Sequence, residues 1–113
     1  MHEVALAEGV LRIVQDAATR CQASRVHTVW LEIGALAQVE RDALRFCFDA
    51  VTRGSVADGA ALEIDTLPGM AWCMPCSQRI ALAAFGDACP NCGSYQLQVV
   101  GGEEMRVKEI GIR

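Results

Sequence analysis

Apolar residues recur at helical spacing near the start of the chain. Leu6, Val10, Ile13, Val14, Ala17 and Cys21 share one stripe, while Glu8, Arg12, Gln15 and Asp16 fall largely on other faces, so the pattern predicts an amphipathic helix over 3–21. Residues 26–33 are rich in β-branched and apolar side chains and close at Gly34, which reads as a largely buried strand. Helical periodicity returns over 41–53, where Leu44, Cys47, Phe48 and Val51 recur and Gly54 stands where a C-terminal cap belongs. Over 61–67, Leu62 and Ile64 alternate with Glu63 and Asp65, a strand that breaks at Pro68-Gly69. Two further strand-like runs, 95–100 and 105–112, flank Gly101-Gly102, a hairpin signal, with the last strand free to return to the first sheet. The elements predict an α/β body with a lobe boundary at Pro68-Gly69.

Composition adds a constraint on that body. Hydrophobic residues make up 52% of the 113, yet many are alanines, so the core is adequate in extent and modest in bulk. A metal staple would help it. No apolar run approaches the ~18 residues that span a bilayer, and Met1-His2-Glu3-Val4 lacks the basic start of a secretory signal. The expected location is the cytoplasm, without membrane attachment. Thiols stay reduced there, so six cysteines point to metal rather than to a disulfide framework. The net charge is -4, and four thiolates holding a divalent cation would add about -2. That balance opposes nucleic-acid binding, which needs clustered cations.

The cysteine spacing carries the chemistry. Cys73-Met74-Pro75-Cys76 and Cys89-Pro90-Asn91-Cys92-Gly93 are two C-x-x-C pairs with twelve residues between them. Each pair presents two sulfurs from one tight turn, and two such turns build a tetrahedral four-sulfur cage with no open coordination position. Gly93 suits the second turn because it takes positive φ freely; Ser77 holds the matching place after the first pair and is a less permissive choice. Rubredoxin-type iron sites share this spacing, whereas closed coordination favours a zinc ion that stabilises folding and does little chemistry. Cys21 and Cys47 are isolated on apolar helix faces and read as core packing.

Met1-His2-Glu3 forms a second constellation. A methionine followed by a residue as large as histidine is usually retained, which leaves its α-amine free. That amine, the His2 amide nitrogen and the His2 imidazole Nδ1 can close fused chelate rings around a single ion, a nitrogen-rich planar set suited to Ni(II) or Cu(II). Three nitrogens leave a position open for transfer. Glu3 and Glu40 are oxygen donors that could approach that position, although acidic residues at helix starts ordinarily serve as caps or dipole partners. His27 reads as a strand residue without a role.

Taken together, these residues resemble one family, the hydrogenase-maturation nickel chaperones HypA and HybF, over essentially the whole chain. The resemblance is carried by Met1-His2-Glu3; Leu31-Glu32-Ile33-Gly34 with Val39-Glu40; Phe46-Cys47-Phe48-Asp49-Ala50-Val51; Gly59-Ala60 before Leu62-Glu63-Ile64; both cysteine pairs; and Gly102-Glu103-Glu104-Met105. It implies two helices packed on a small mixed sheet as a nickel-binding α/β lobe, residues 1–68 and 104–113, joined to a zinc-ribbon or rubredoxin-like lobe, residues 69–103. It further implies nickel on Met1, His2 and Glu3, zinc on Cys73, Cys76, Cys89 and Cys92, and delivery of nickel to the [NiFe]-hydrogenase large-subunit precursor with the maturation GTPase HypB. Some family members also serve urease. Ser77 stands where the family often has glycine.

Two other functions share the cysteine pattern. A zinc-ribbon module for nucleic acid would need interleaved aromatics and cations, which this sequence lacks. A rubredoxin-like electron carrier would be red and redox-active. No Ser-His-Asp, Cys-His or paired-carboxylate arrangement stands out, so the sequence is not read as an enzyme.

Overall fold

The computed structural model describes residues 2–113; Met1 lies outside the described residues. Its elements in chain order are α1 (His2–Arg20), β1 (Val26–Gly34), α2 (Arg41–Val51), β2 (Ala61–Leu67), β3 (Met70–Cys73), β4 (Gln78–Ala81), β5 (Leu97–Gly101) and β6 (Met105–Ile112). They form two three-stranded sheets, one in the order β2-β1-β6 and one in the order β4-β3-β5. The α/β class with two helices and small sheets is the one expected. Two compact units divide the chain: residues up to Leu31 with Val39–Ile64 and Val107–Arg113, and Glu32–Gln38 with Asp65–Arg106.

In the first unit the helices pack on each other. α1 buries Ala7, Val10, Val14 and Ala18, a stripe of three- and four-residue steps. This stripe is rotated from the one expected: Ile13 is 53% exposed, and Cys21 falls past the helix end. Glu3 in the first turn and Arg20 in the last complement the helix dipole, and Asp16 pairs with Arg20 one turn apart at 3.2 Å. α2 starts at Glu40, whose carboxylate accepts the backbone N–H groups of Asp42 and Ala43 at 2.7 and 3.3 Å. It buries Leu44, Cys47 and Phe48 and ends at Thr52, whose hydroxyl donates to the Phe48 carbonyl at 2.7 Å. Val26, Val29 and Leu31 of β1 are fully buried as well.

The second unit departs from expectation in two ways. Two short strands, β3 and β4, bracket the first cysteine pair as an antiparallel hairpin, with Cys73 opposite Gln78 and Trp72 opposite Arg79. The hairpin expected at Gly101-Gly102 does not form, because β5 pairs with β3, while β6 returns to the first sheet, the course the sequence leaves open for the last strand. The reason lies in the backbone around Gly102. Its carbonyl accepts the Leu36 N–H at 2.8 Å, its own N–H donates to Glu104 Oε1 at 3.0 Å, and the Glu104 carbonyl accepts the Gly34 N–H at 2.7 Å. Those bonds hold the 102–104 stretch on Gly34 and Leu36, so β6 cannot fold back along β5. Gly102 has φ +92°, and a Cβ there would stand 2.5 Å from the Gly69 Cα and 2.7 Å from the Pro68 carbonyl oxygen.

Gly102→Ala is therefore expected to destabilise the protein beyond the ~1–3 kcal/mol of an unfavourable backbone conformation, because overlap with Gly69 adds to it. Gly9→Ala, within α1 and with nothing near its added methyl, should instead stabilise by about 0.5–1 kcal/mol. Urea unfolding of both variants checks the pair; equal midpoints would contradict the close packing assigned to Gly102.

Candidate metal centre

Both cysteine turns are built by the same local device. β3 delivers Cys73 to the end of a strand, and the chain reverses through Met74, Pro75 and Cys76 before β4. The Ser77 N–H donates to the Cys73 carbonyl at 2.8 Å, and the Gly93 N–H donates to the Cys89 carbonyl at the same distance. Both closing residues adopt left-handed backbone, Ser77 at φ +51° and Gly93 at φ +75°. The first turn thus takes the conformation that glycine favours, with the serine bearing the modest strain of a side chain there. The Cys89 N–H also donates to the Ser94 carbonyl at 2.8 Å, which folds the second turn back on itself.

The two turns bring four sulfurs together. Cys73, Cys76, Cys89 and Cys92 place their Sγ atoms within 4.8 Å of one another, with Cys73 to Cys92 at 3.6 Å and Cys76 to Cys89 at 3.9 Å. A tetrahedral ion with metal–sulfur bonds near 2.3 Å needs sulfur–sulfur edges of about 3.8 Å, so the cage fits such an ion. Cys73 and Cys89 belong to an apolar cluster with Leu36, Ala71, Ile80 and Leu82, while Cys92 is exposed and Cys76 half-buried. The cage therefore has a greasy floor and a wet rim. Sequence patterning placed the sulfurs but missed this floor, because Leu36 lies far from them in sequence and the strands are only four residues long.

Crowding shapes the thiol chemistry. Hydrogen bonding with Cys92 and then Cys73, together with burial, pushes the Cys76 thiol up to about 12. Burial pushes Cys73 up as well. The backbone N–H groups of Cys92 and Asn91 turn toward Cys89 and bring it down to about 7; the Asn91 N–H reaches its sulfur at 3.4 Å. Cys89 is thus ready to meet a cation near neutral pH, and Cys73 and Cys76 ionise as the ion arrives.

The amino-terminal constellation is only partly described. Met1, expected as a nickel ligand, lies outside the described residues. His2 opens α1 with its side chain 58% exposed, and its Nδ1 stands 3.4 Å from Glu3 Oε2. That same Glu3 oxygen accepts the Glu40 N–H at 3.4 Å, and the bond holds the Glu3 carboxyl below the usual carboxylate range. Glu40 spends its own carboxylate on capping α2, the ordinary role weighed for it. His27 lies over Gly111 and pairs its Nδ1 with the Thr28 hydroxyl at 2.9 Å. Cys47 is buried, as expected of core packing, whereas Cys21 is exposed and that expectation fails: the buried stripe of α1 turns away before reaching it. Among residues 65–106 the only cations are Arg79 and Arg106, so this stretch itself offers few partners for a phosphate backbone.

Comparison with known proteins agrees with this geometry. The family model for HypA, described as hydrogenase/urease nickel incorporation, metallochaperone, matches residues 1–112. The hydrogenase maturation factor HypA of Albidiferax ferrireducens is 60% identical over 112 residues, covering 99% of both chains. That of Dechloromonas aromatica is 58% identical with the same coverage. Among solved structures, the solution structure of the Ni metallochaperone HypA from Helicobacter pylori superposes with a TM-score of 0.70 at 23% identity, covering 99% of this chain and 97% of that one. No helix among the described residues is long and apolar enough to cross a membrane.

Two results should follow from the cage. Cys73→Ala or Cys89→Ala is expected to release the bound metal and loosen residues 69–103, since each removes both a ligand and part of the apolar floor, while Cys21→Ala leaves the metal content unchanged. Elemental analysis with NMR of each variant decides it. Metal retention should also weaken as pH falls. Cys73 and Cys76, whose thiols burial and their sulfur neighbours push up, must shed protons to bind, and below about 7 Cys89 must do so too. Competition with a chromogenic chelator from about pH 8 down to about pH 5 measures this, and pH-independent retention would contradict thiolate ligation.

Proposed function

This chain belongs to the HypA family of hydrogenase/urease nickel-incorporation metallochaperones, and on that premise we propose that it carries Ni(II) at its amino terminus and delivers it to the [NiFe]-hydrogenase large-subunit precursor. Membership places it among metal carriers for hydrogenase maturation and not among enzymes. In this reading the nickel ligands are the Met1 amine, the His2 amide and imidazole nitrogens, and Glu3. The maturation GTPase HypB is the partner, and the cytoplasm is where the transfer takes place. Residues 1–68 and 104–113 form the nickel lobe, and residues 69–103 the lobe held by zinc on Cys73, Cys76, Cys89 and Cys92.

The observation that carries the proposal is the placing of His2 at the first position of α1, solvent-exposed and beside the Glu3 carboxylate. The first four N–H groups of a helix have no partner within it, so the His2 amide can lose its proton to a metal without breaking a helical bond. Nitrogen donors in a plane suit Ni(II), and a nearby carboxylate supplies negative charge to a doubly charged ion. Cargo must also leave. An exposed set with an exchangeable position permits ligand exchange, whereas four sulfurs around one ion leave no such position. Zinc has no redox chemistry and takes tetrahedral sulfur ligation readily, which suits a resident ion whose work is to hold a fold.

His2→Ala, or a single glycine placed before Met1, is expected to abolish tight nickel binding while leaving the zinc content and the far-ultraviolet circular dichroism unchanged. The first change removes the imidazole; the second converts the α-amine to an amide and moves the new terminus out of ring-closing range. Titration calorimetry of nickel into untagged protein and both variants tests it. Wild-type affinity in either variant would place the nickel ligands elsewhere.

A further inference from the structure

We infer that Cys92 is a site of oxidative modification, attacked first by a peroxide and then closed into a disulfide by Cys73, so that oxidation opens the metal cage. The four cage cysteines differ in access: Cys73 and Cys89 are buried, Cys76 is half-buried and Cys92 is exposed. A resident cation keeps its sulfur ligands ionised, and the thiolate is the nucleophile toward peroxide, so the cage cysteine most open to solvent is the point of attack. Cys73 Sγ stands 3.6 Å from Cys92 Sγ. A disulfide bond near 2.05 Å then needs the two sulfurs to approach by only about 1.5 Å.

The electrons balance in two displacements. The Cys92 thiolate attacks one oxygen of hydrogen peroxide; an S–O bond forms, the O–O bond breaks, and a sulfenic acid and hydroxide result. The Cys73 thiolate then attacks the Cys92 sulfur; the S–S bond forms, the S–O bond breaks, and a second hydroxide leaves. Both hydroxides take protons from solvent, so one peroxide is reduced to two waters as two thiolates become one disulfide. Two of the four ligands are thereby lost, including one from the apolar cluster of Leu36, Ala71, Ile80 and Leu82. Cys21 is exposed too, but no second thiol is grouped with it among the described residues. It can be oxidised without closing a disulfide or releasing metal.

This inference rests on the reading of the cage as a zinc site, and the test separates the two. Untagged Cys21→Ser protein, with its metal content measured beforehand, is treated with substoichiometric hydrogen peroxide and a 1,3-dione that traps sulfenic acids. The product is alkylated, digested and mapped by mass spectrometry while a chromogenic chelator follows metal release. The expected result is trapping at Cys92 ahead of the other three, a first disulfide joining Cys73 and Cys92, and loss of the metal in step with it. A first disulfide joining Cys73 to Cys76 or Cys89 to Cys92, or prior trapping at Cys76, overturns the inference. If the starting protein holds no zinc, the zinc reading fails on its own, and the order of trapping and pairing still decides the role of Cys92.

Discussion

Four cysteine sulfurs gathered within 4.8 Å cannot all ionise without a cation among them, and that constraint organises the second unit. The opposing directions of the thiols show the same crowding, with Cys76 pushed up and Cys89 brought down by backbone N–H groups. A metal resolves the conflict by compensating the charge. It also ties the β3–β4 turn to the 89–93 turn, segments otherwise backed by an apolar floor of small extent: Leu36, Ala71, Ile80 and Leu82 beside two of the ligands themselves. Core and metal site are therefore a single object, in which a sulfur lost as ligand is also lost as packing.

The amino terminus obeys the opposite rule. His2 sits at a helix start, where backbone N–H groups are free and the imidazole is open to solvent, so nothing encloses an ion bound there. Glu3 is turned inward enough to meet the Glu40 N–H, and Glu40 in turn caps α2. The start of α1 is thus fixed relative to the start of α2 within the first unit, while His2 itself stays accessible. A closed site suits an ion that stays and an open one suits an ion that leaves, which is the division proposed for the two.

Legibility in the sequence followed the strength of the local pattern. Both helices, β1, β2 and β6 were readable because each is seven or more residues long and carries a clear period. The cysteine pairs were readable because their spacing alone defines two turns, and Ser77 at φ +51° shows that turn geometry prevails over residue preference there. What escaped was set by contacts distant in sequence. β3 and β4 are four residues long, too short for a period to register. The Gly101-Gly102 signal pointed to a hairpin because the bonds that send β6 away from β5 come from Gly34 and Leu36, more than sixty positions earlier. The register of α1 is not legible in the sequence because Ile13 and Cys21 are as apolar as Ala7 and Ala18, and only the packed partner tells them apart.

The proposed function puts two metals in two chemically distinct sites, nitrogen and oxygen for the cargo and sulfur alone for the resident ion. X-ray absorption at the nickel and zinc edges of untagged protein loaded with both metals tests it most directly. A nickel shell of nitrogen and oxygen with no sulfur, and a zinc shell of four sulfurs at about 2.3 Å, are expected. Sulfur in the nickel shell, or nitrogen and oxygen around the zinc, would contradict it.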